Sequence, residues 1–544
     1  MLKRNLFVVL LCICASVVSA QNADYRVVPL PHSIVPGRGA SFTLSASTPI
    51  VYEGQDADMQ RQARFLSDYI AEVSGIKTNV VSAKPKRTPA IVLLTDNKIE
   101  GDEAYKITVT NKQLTIAGRT SAGVFYGMQT LRKALPTEGI ESGLVYFPPV
   151  VVTDAPRFAY RGMMLDCARH IFPIDFVKRY IDLIALHNMN VFHWHLTDDQ
   201  GWRIEVKKYP KLTEIGSKRS RTILGHNSTV DDGQPYGGYY TQEQAKEIVE
   251  YARQRHITVI PEIDMPGHMK AALASYPELG CTGGPYEVGY FWGVYRDVLC
   301  LGNEKVYTFV EDIIDEMTKI FPAKYFHIGG DETPTNRWAE CPKCQKVAKE
   351  NNLEIKNMQA HFTRHIEKFL KTKNRTVIGW DEILDGEIDT ATTIMSWRGV
   401  KPGMQGAERG HNVIMTPVDF CYLDYKQNED EDTEPEGQHQ YLPVSKVYSM
   451  NPAPADVPEQ MRSRILGAQG NLWTEYIAWP NRAEYAVLPR MAALCEGQWM
   501  EDEAKNFDDF KLRVTKLAKL YDKYGYHYAL HIWPERFEQA RKFW

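Results

Sequence analysis

The chain has 544 residues, of which 44% are hydrophobic and 24% charged. That length exceeds the ~100–200 residues of one domain, so two domains are expected, and the composition excludes a disordered, collagen-like or many-span membrane chain. Lys and Arg number 64 against 68 Asp and Glu, a net charge of −4, which leaves no basic excess for nucleic-acid binding; 11 Trp and 29 Tyr favour a binding site built from ring faces.

Residues 1–20 read as an export signal. Lys3 and Arg4 precede an apolar stretch from Leu6 to Val18, and Val18-Ser19-Ala20 supplies small residues for cleavage. A periplasmic or secreted protein is therefore expected. No later run reaches the ~18 apolar residues of a spanning helix, so membrane insertion is not expected.

From 21 to 150 the pattern is that of a small α+β domain. Ala90–Leu94 and Tyr105–Thr110 read as strands, with Leu114–Ala117 as a hairpin partner, and Met59–Val73 and Ala122–Leu135 have helical spacing. Pro148-Pro149 interrupts helix and sheet alike and sets the expected boundary. From 151 to 544, eight apolar runs alternate with amphipathic helices: Arg161–Asp166, Val191–Leu196, Ile257–Ile263, Tyr325–Gly329, Thr376–Trp380, Thr393–Trp397, Val413–Thr416 and Ile465–Leu472. Between the third and fourth, Val306, Phe309, Val310, Ile313, Ile314, Met317, Ile320 and Phe321 form one apolar stripe. The fold class is α/β, a (β/α)8 TIM barrel preceded by the small α+β domain, with a doubly wound sheet as the alternative.

Seven cysteines follow the leader, and an exported chain permits disulfides. Cys281 and Cys300 bracket a Gly-rich loop and are the first choice for a bridge. Cys341-Pro-Lys-Cys344 is half of a zinc-site pattern, but no second ligand pair stands at a defined spacing, so a local disulfide or two free thiols is expected there instead. Cys167, Cys421 and Cys495 have apolar neighbours and read as core.

Polar residues gather where the apolar runs end, and in a parallel barrel those ends share one rim, where active sites form. Asp331-Glu332 is the leading catalytic pair, approached through Gly329-Gly330. Read as strand residues, the two carboxylates point in opposite directions; they are poorly placed as the opposed acid and nucleophile, ~5 Å apart, of ordinary retaining glycosidases. His193 and His195 alternate on a strand with Asp198 nearby, but a third metal ligand is not evident and no metal is expected. His268 follows the Pro266-Gly267 turn, and Trp380, Trp397 and Trp473 come from three strand ends, where together they would box the apolar face of a sugar.

The segments YRGMMLDCARH, FHWHLTDDQGWRIEVKKYPKL, PEIDMPGH, FHIGGDE, GWDEIL, SWRG, CYLD and NLWTE, in that order, resemble the β-N-acetylhexosaminidases of glycoside hydrolase family 20 over nearly all of 24–500. The resemblance implies hydrolysis of terminal, non-reducing N-acetylglucosamine or N-acetylgalactosamine with retention, assisted by the substrate's acetamido group and needing no metal or organic cofactor. It implies Glu332 as general acid/base and Asp331 as the residue that orients the acetamido group. Tyr422 would hydrogen-bond its oxygen, and Asp198 with His268 would form a relay to Glu332. Arg169, Asp424 and Glu475 are implied as sugar-hydroxyl ligands, and Trp380, Trp397 and Trp473 as pocket walls. The partner is a glycan ending in an N-acetylhexosamine. Two alternatives remain: a sugar-binding protein without catalysis, and a glycosidase that uses Asp331 as a covalent nucleophile on sugars lacking the acetamido group.

Overall fold

The computed structural model describes residues 22–541 apart from 54–55, 85–87, 139 and 141; the expected leader lies outside the described residues. The first domain is a seven-stranded mixed sheet in the spatial order 33–36, 150–154, 105–110, 113–118, 90–95, 49–52, 79–81. Helices Ala57–Ser74 and Ser121–Ala134 pack on it and on each other. The first of these begins where Asp56 accepts the Asp58 N–H and ends at Gly75, whose φ of 75° is the left-handed stop that glycine adopts without strain. The domain boundary differs from the expected one. Strand Val150–Asp154 pairs with both Ser33–Pro36 and Tyr105–Thr110, so the first sheet continues past Pro149 and the barrel begins after Asp154.

All eight apolar runs form one closed parallel barrel whose order around the ring is the order in the chain. We number its strands β1 (Tyr160–Asp166), β2 (Val191–His195), β3 (Thr258–Glu262), β4 (Tyr325–His327), β5 (Thr376–Trp380), β6 (Thr393–Ser396), β7 (Val413–Met415) and β8 (Ile465–Gly470). β8 closes on β1 through the pairs Tyr160–Gly467 to Met163–Gly470. These strands read as continuous apolar runs because parallel strands are buried on both faces. Helix Glu304–Ile320 buries the apolar stripe read from sequence, and Gln242–Arg253 starts on a capping box in which Thr241 and Gln244 exchange hydrogen bonds. β5 departs from the strand-helix alternation, since only a 3-10 turn, Asp381–Asp385, follows it directly.

The two domains share one contiguous apolar core. Across the joint, Glu103 takes a bidentate pair from the buried Arg161 of β1 (2.7 and 2.9 Å), and Lys133 donates to Leu186 O and Asn188 Oδ1 (2.9 Å each). The first domain thus braces the lower end of the barrel and leaves the opposite rim to the long segments after β2, β3 and β7. No helix among the described residues is long and apolar enough to cross a membrane.

The expected Cys281–Cys300 bridge is absent. All seven described cysteines are unbonded, and Cys300 Sγ also lies 3.6 Å from Cys344 Sγ and 3.7 Å from Cys341 Sγ. The physical reason is packing: helix Pro342–Glu350 seats its first turn against the end of the loop that carries Cys300.

Candidate active site

At the C-terminal rim, Arg169, Asp331, Glu332, Trp380, Trp397, Tyr422, Asp424, Trp473 and Glu475 line one cavity of about 190 Å³. That is below the ~300–1,000 Å³ usual for ligand pockets and suits one sugar ring. Every pocket residue named from the sequence is in this wall; Asp198 and His268 stand behind it, in contact with the acids.

The acid pair is not on a strand, which corrects the extended reading. β4 ends at His327, and the chain then turns through Gly329 (φ 68°), Gly330 (φ 96°) and Glu332 itself (φ 45°). At Gly329 an added Cβ would lie 1.7 Å from Asp264 Oδ1, so no side chain fits, while the Gly330 N–H donates to the same oxygen (3.1 Å). A left-handed backbone at a glutamate is strained and is retained where the surroundings fix it. The turn sends both carboxylates to the same side: Asp331 Oδ2 is 3.6 Å and Glu332 Oε2 3.8 Å from His268 Nε2.

His268 and Asp198 meet as expected. His268 Nδ1 lies 3.1 Å from Asp198 Oδ1 and 3.2 Å from Asp199 Oδ2. Burial opposes its charge, but the carboxylates of Asp198, Asp331 and Asp264 prevail and hold its pKa well above the usual value. Asp198 is held well below the carboxylate range, burial being outweighed by Arg169 and His268. Asp331 is raised by burial, with His268 opposing. Among the described residues its buried Oδ1 has no hydrogen-bond partner, and an unpartnered buried acceptor in a pocket wall asks for a ligand donor.

Glu332 is raised by burial and then by the like charge of Asp331, with His268 and Arg169 opposing. A raised carboxyl stays protonated to higher pH, so an acid role for Glu332 predicts that the alkaline limb of kcat/KM lies above the ordinary carboxylate range. Replacing Asp331 by Asn removes a charge that raises this pKa, so the limb measured on residual activity should move to lower pH. A limb that does not move would contradict the coupling.

Arg169 is more committed than a sugar ligand need be. Asp166, at the end of β1, accepts its N–H (3.1 Å) and a guanidinium hydrogen (3.2 Å), Gln200 Oε1 accepts from Nε (3.0 Å), Nη2 lies 2.9 Å from Asp198 Oδ2, and Glu475 is 3.8 Å away. It therefore braces Asp198 as well as lining the pocket wall. The rings form a cage: Trp380 and Trp473 have centroids 5.8 Å apart, Trp397 stacks on Tyr422 at 6.1 Å, and Tyr422 lies 6.4 Å from Trp473. Asp424 is buried with Oδ1 unpartnered among the described residues, and burial plus the charge of Glu475 raise its pKa well above the usual range.

The model for "Glycosyl hydrolase family 20, catalytic domain" matches residues 158–502, and that for domain 2 of the same family matches 24–155. The chain belongs to glycosyl hydrolase family 20. A beta-hexosaminidase of Porphyromonas gingivalis is 39% identical over 94% of this chain and 65% of its own length; the chain thus spans about two thirds of that relative. Among solved structures, the GH20 exo beta-N-acetylglucosaminidase of Vibrio harveyi in complex with N-acetylglucosamine superposes with a TM-score of 0.82 at 32% identity, covering 94% of this chain and 80% of that one. The beta-N-acetylhexosaminidase of Bacteroides fragilis gives 0.79 at 30% identity, covering 92% and 96%.

Several residues of this family 20 site went unread in the sequence. Gln438 and Gln440 line the pocket from the short strand Gln438–Tyr441 in the segment after β7, and Glu382 accepts the Trp397 indole N–H (2.9 Å), its own pKa pushed up to about 8 by burial and by Asp331 and Asp381. The largest omission is Glu262, at the end of β3. Its carboxylate meets His193 (2.8 Å), His195 (2.7 Å) and His327 (3.0 Å) and accepts the Trp380 indole N–H (2.8 Å). Burial is outweighed by the three histidines, and its pKa falls well below the usual range. His195 passes the contact on to Asp198 Oδ2 (3.0 Å), so β2, β3, β4 and β5 are tied to Asp198 through one carboxylate. A charge-bearing acid in an otherwise apolar strand, with histidines in two neighbouring strands, was the available signal. Breaking a buried ionic network costs about 3–5 kcal/mol, so Glu262→Gln should lower unfolding stability toward that amount in denaturant titration; an unchanged midpoint would remove the hub from the account.

Proposed function

We propose that this chain is an exo-acting β-N-acetylhexosaminidase, releasing terminal non-reducing β-linked N-acetylglucosamine or N-acetylgalactosamine with retention, the substrate's own acetamido oxygen serving as nucleophile. The observation that carries this reading is that both acids stand on one side of a single-ring pocket, facing the same imidazole nitrogen. An enzymic acid and nucleophile must flank the scissile bond ~5 Å apart, and two inverting carboxylates lie ~6.5–9.5 Å apart; substrate assistance needs neither arrangement. The names of the relatives, including a Vibrio harveyi protein whose structure contains N-acetylglucosamine, point to the same sugar.

In this mechanism the unpartnered Asp331 Oδ1 accepts the acetamido N–H and turns the carbonyl oxygen toward the anomeric carbon. The Tyr422 hydroxyl donates to that oxygen and holds it in place. Glu332 donates its proton to the glycosidic oxygen as the bond breaks. The resulting oxazolinium ion carries positive charge beside the Asp331 carboxylate, a fixed counter-charge in a water-poor site. Glu332, now ionised, takes a proton from the water that opens the ring, and two inversions at the anomeric carbon give retention. Arg169, Asp424 and Glu475 hold hydroxyls through charge-assisted hydrogen bonds, and the indoles cover the apolar sugar face.

An aryl N-acetyl-β-glucosaminide and the matching aryl glucoside test the reading: rapid release from the first and almost none from the second is expected. Comparable release from both would assign Asp331 to covalent catalysis, and release from neither would leave a sugar-binding protein. Export is part of the same proposal, resting on residues 1–20; a mature chain starting at Gln21, read by mass spectrometry, is expected, and an intact Met1 in the secreted fraction would refute it.

A further inference from the structure

We infer that Cys281, Cys300, Cys341 and Cys344 form a structural zinc site that locks a wall-supporting loop to the helices after the catalytic turn. The sulfurs come together from three places in the chain: the two ends of loop 282–299 and the first turn of helix Pro342–Glu350. Their separations are 3.8 Å for Cys281–Cys344, 3.7 Å for Cys300–Cys341 and 3.6 Å for Cys300–Cys344, and all four lie within 4.8 Å of one another. A tetrahedral site with zinc–sulfur bonds of about 2.3 Å has sulfur–sulfur edges of about 3.8 Å, whereas a disulfide closes to about 2.05 Å. The observed edges match the first arrangement. Cys300, Cys341 and Cys344 are buried and Cys281 partly so, as suits a closed structural site with no open position.

A second observation shows that the fold is built to press the halves together. A Cβ on Gly302 would lie 2.2 Å from the Lys343 carbonyl carbon and 2.4 Å from the Cys344 nitrogen. Backbone therefore packs on backbone where the loop end meets the Cys-x-x-Cys turn. The second ligand pair missing from the sequence pattern is supplied by Cys281 and Cys300. Four thiols binding Zn²⁺ as thiolates release their protons to solvent, with no oxidant required, unlike the two disulfides that these residues would otherwise make.

The locked loop reaches the active site. Its Gly289 N–H donates to Asp199 O (2.8 Å), and its Phe291 carbonyl accepts from Gln200 (2.9 Å), the residue that holds Arg169. Near its end, Asp297 pairs with Arg337 (2.8 Å), and Leu299 O accepts the Trp338 indole N–H (2.9 Å). None of the four cysteines lines the sugar pocket, so the metal acts on position rather than on chemistry.

The test uses the full chain purified from an exported fraction without added reductant. Elemental mass spectrometry should find about one zinc per chain, and mass mapping should find no bond among these four cysteines. The four thiols should resist a thiol reagent until zinc is removed by a strong chelator under partial denaturation. The variant Cys281→Ser, altering the most exposed ligand, should lower zinc occupancy and raise KM for the aryl N-acetylglucosaminide more than it lowers kcat. Zinc-free protein with two disulfides, zinc-free protein with four reactive thiols, or iron in place of zinc would each overturn the inference. Cys421→Ser serves as the folding control, and loss of zinc in that variant as well would also overturn it.

Discussion

Glu332→Gln is expected to reduce turnover of a natural disaccharide by about 10²–10⁴-fold, the usual yield of a positioned general acid, while an aryl glycoside with a good leaving group loses much less. The difference is diagnostic because amide and carboxyl have nearly the same shape, and only proton donation to the departing oxygen is lost. Folding should be untouched: the side chain is 44% exposed, and its buried neighbour His268 keeps the carboxylates of Asp198, Asp199 and Asp331. The raised pKa of Glu332, set by burial and by Asp331, keeps the group protonated where an ordinary glutamate has ionised. Steady-state kinetics on the two substrates check this, and equal losses on both would assign Glu332 another role.

Asp331→Asn should instead damage both substrates alike, by about 10²–10³-fold, the range for losing one preorganised electrostatic contact to a developing charge. In the proposed mechanism its carboxylate acts before and during ring closure, when the leaving group has no influence on what it holds. Asn presents an acceptor and a donor where the acetamido N–H needs an acceptor, and it withdraws the negative charge that faces the oxazolinium. Single-turnover rates should fall for both substrates in the same proportion. A variant that spared the aryl substrate would place Asp331 on leaving-group departure and contradict its orienting role.

Much of this was legible in the sequence for identifiable reasons. The barrel strands are apolar on both faces, so Val191–His195 or Thr376–Trp380 stands out between turn residues, and the polar residues at their ends mark the rim. Strands Ser33–Pro36, Pro49–Tyr52 and Asn79–Val81 are only three or four residues long, too short for alternation to register. Val150–Asp154 was passed over because Pro149 just before it looked like an end, though the strand begins one residue later. The direction of Asp331 and Glu332 depended on a left-handed turn, and positive φ at a glutamate has no sequence signature. The Glu262 hub and the four-sulfur cluster are products of closure, assembled from segments far apart in the chain. A pattern search along the sequence sees Cys341-Pro-Lys-Cys344 and misses the partners that folding supplies.

Replacing the hydrogens of the substrate's N-acetyl methyl with one, two and then three fluorines weakens the carbonyl oxygen as a nucleophile while leaving the leaving group unchanged. If that oxygen closes on the anomeric carbon under the grip of Asp331, kcat should fall steeply with each fluorine. A turnover rate that stays flat across the series would show that the attacking oxygen comes from elsewhere.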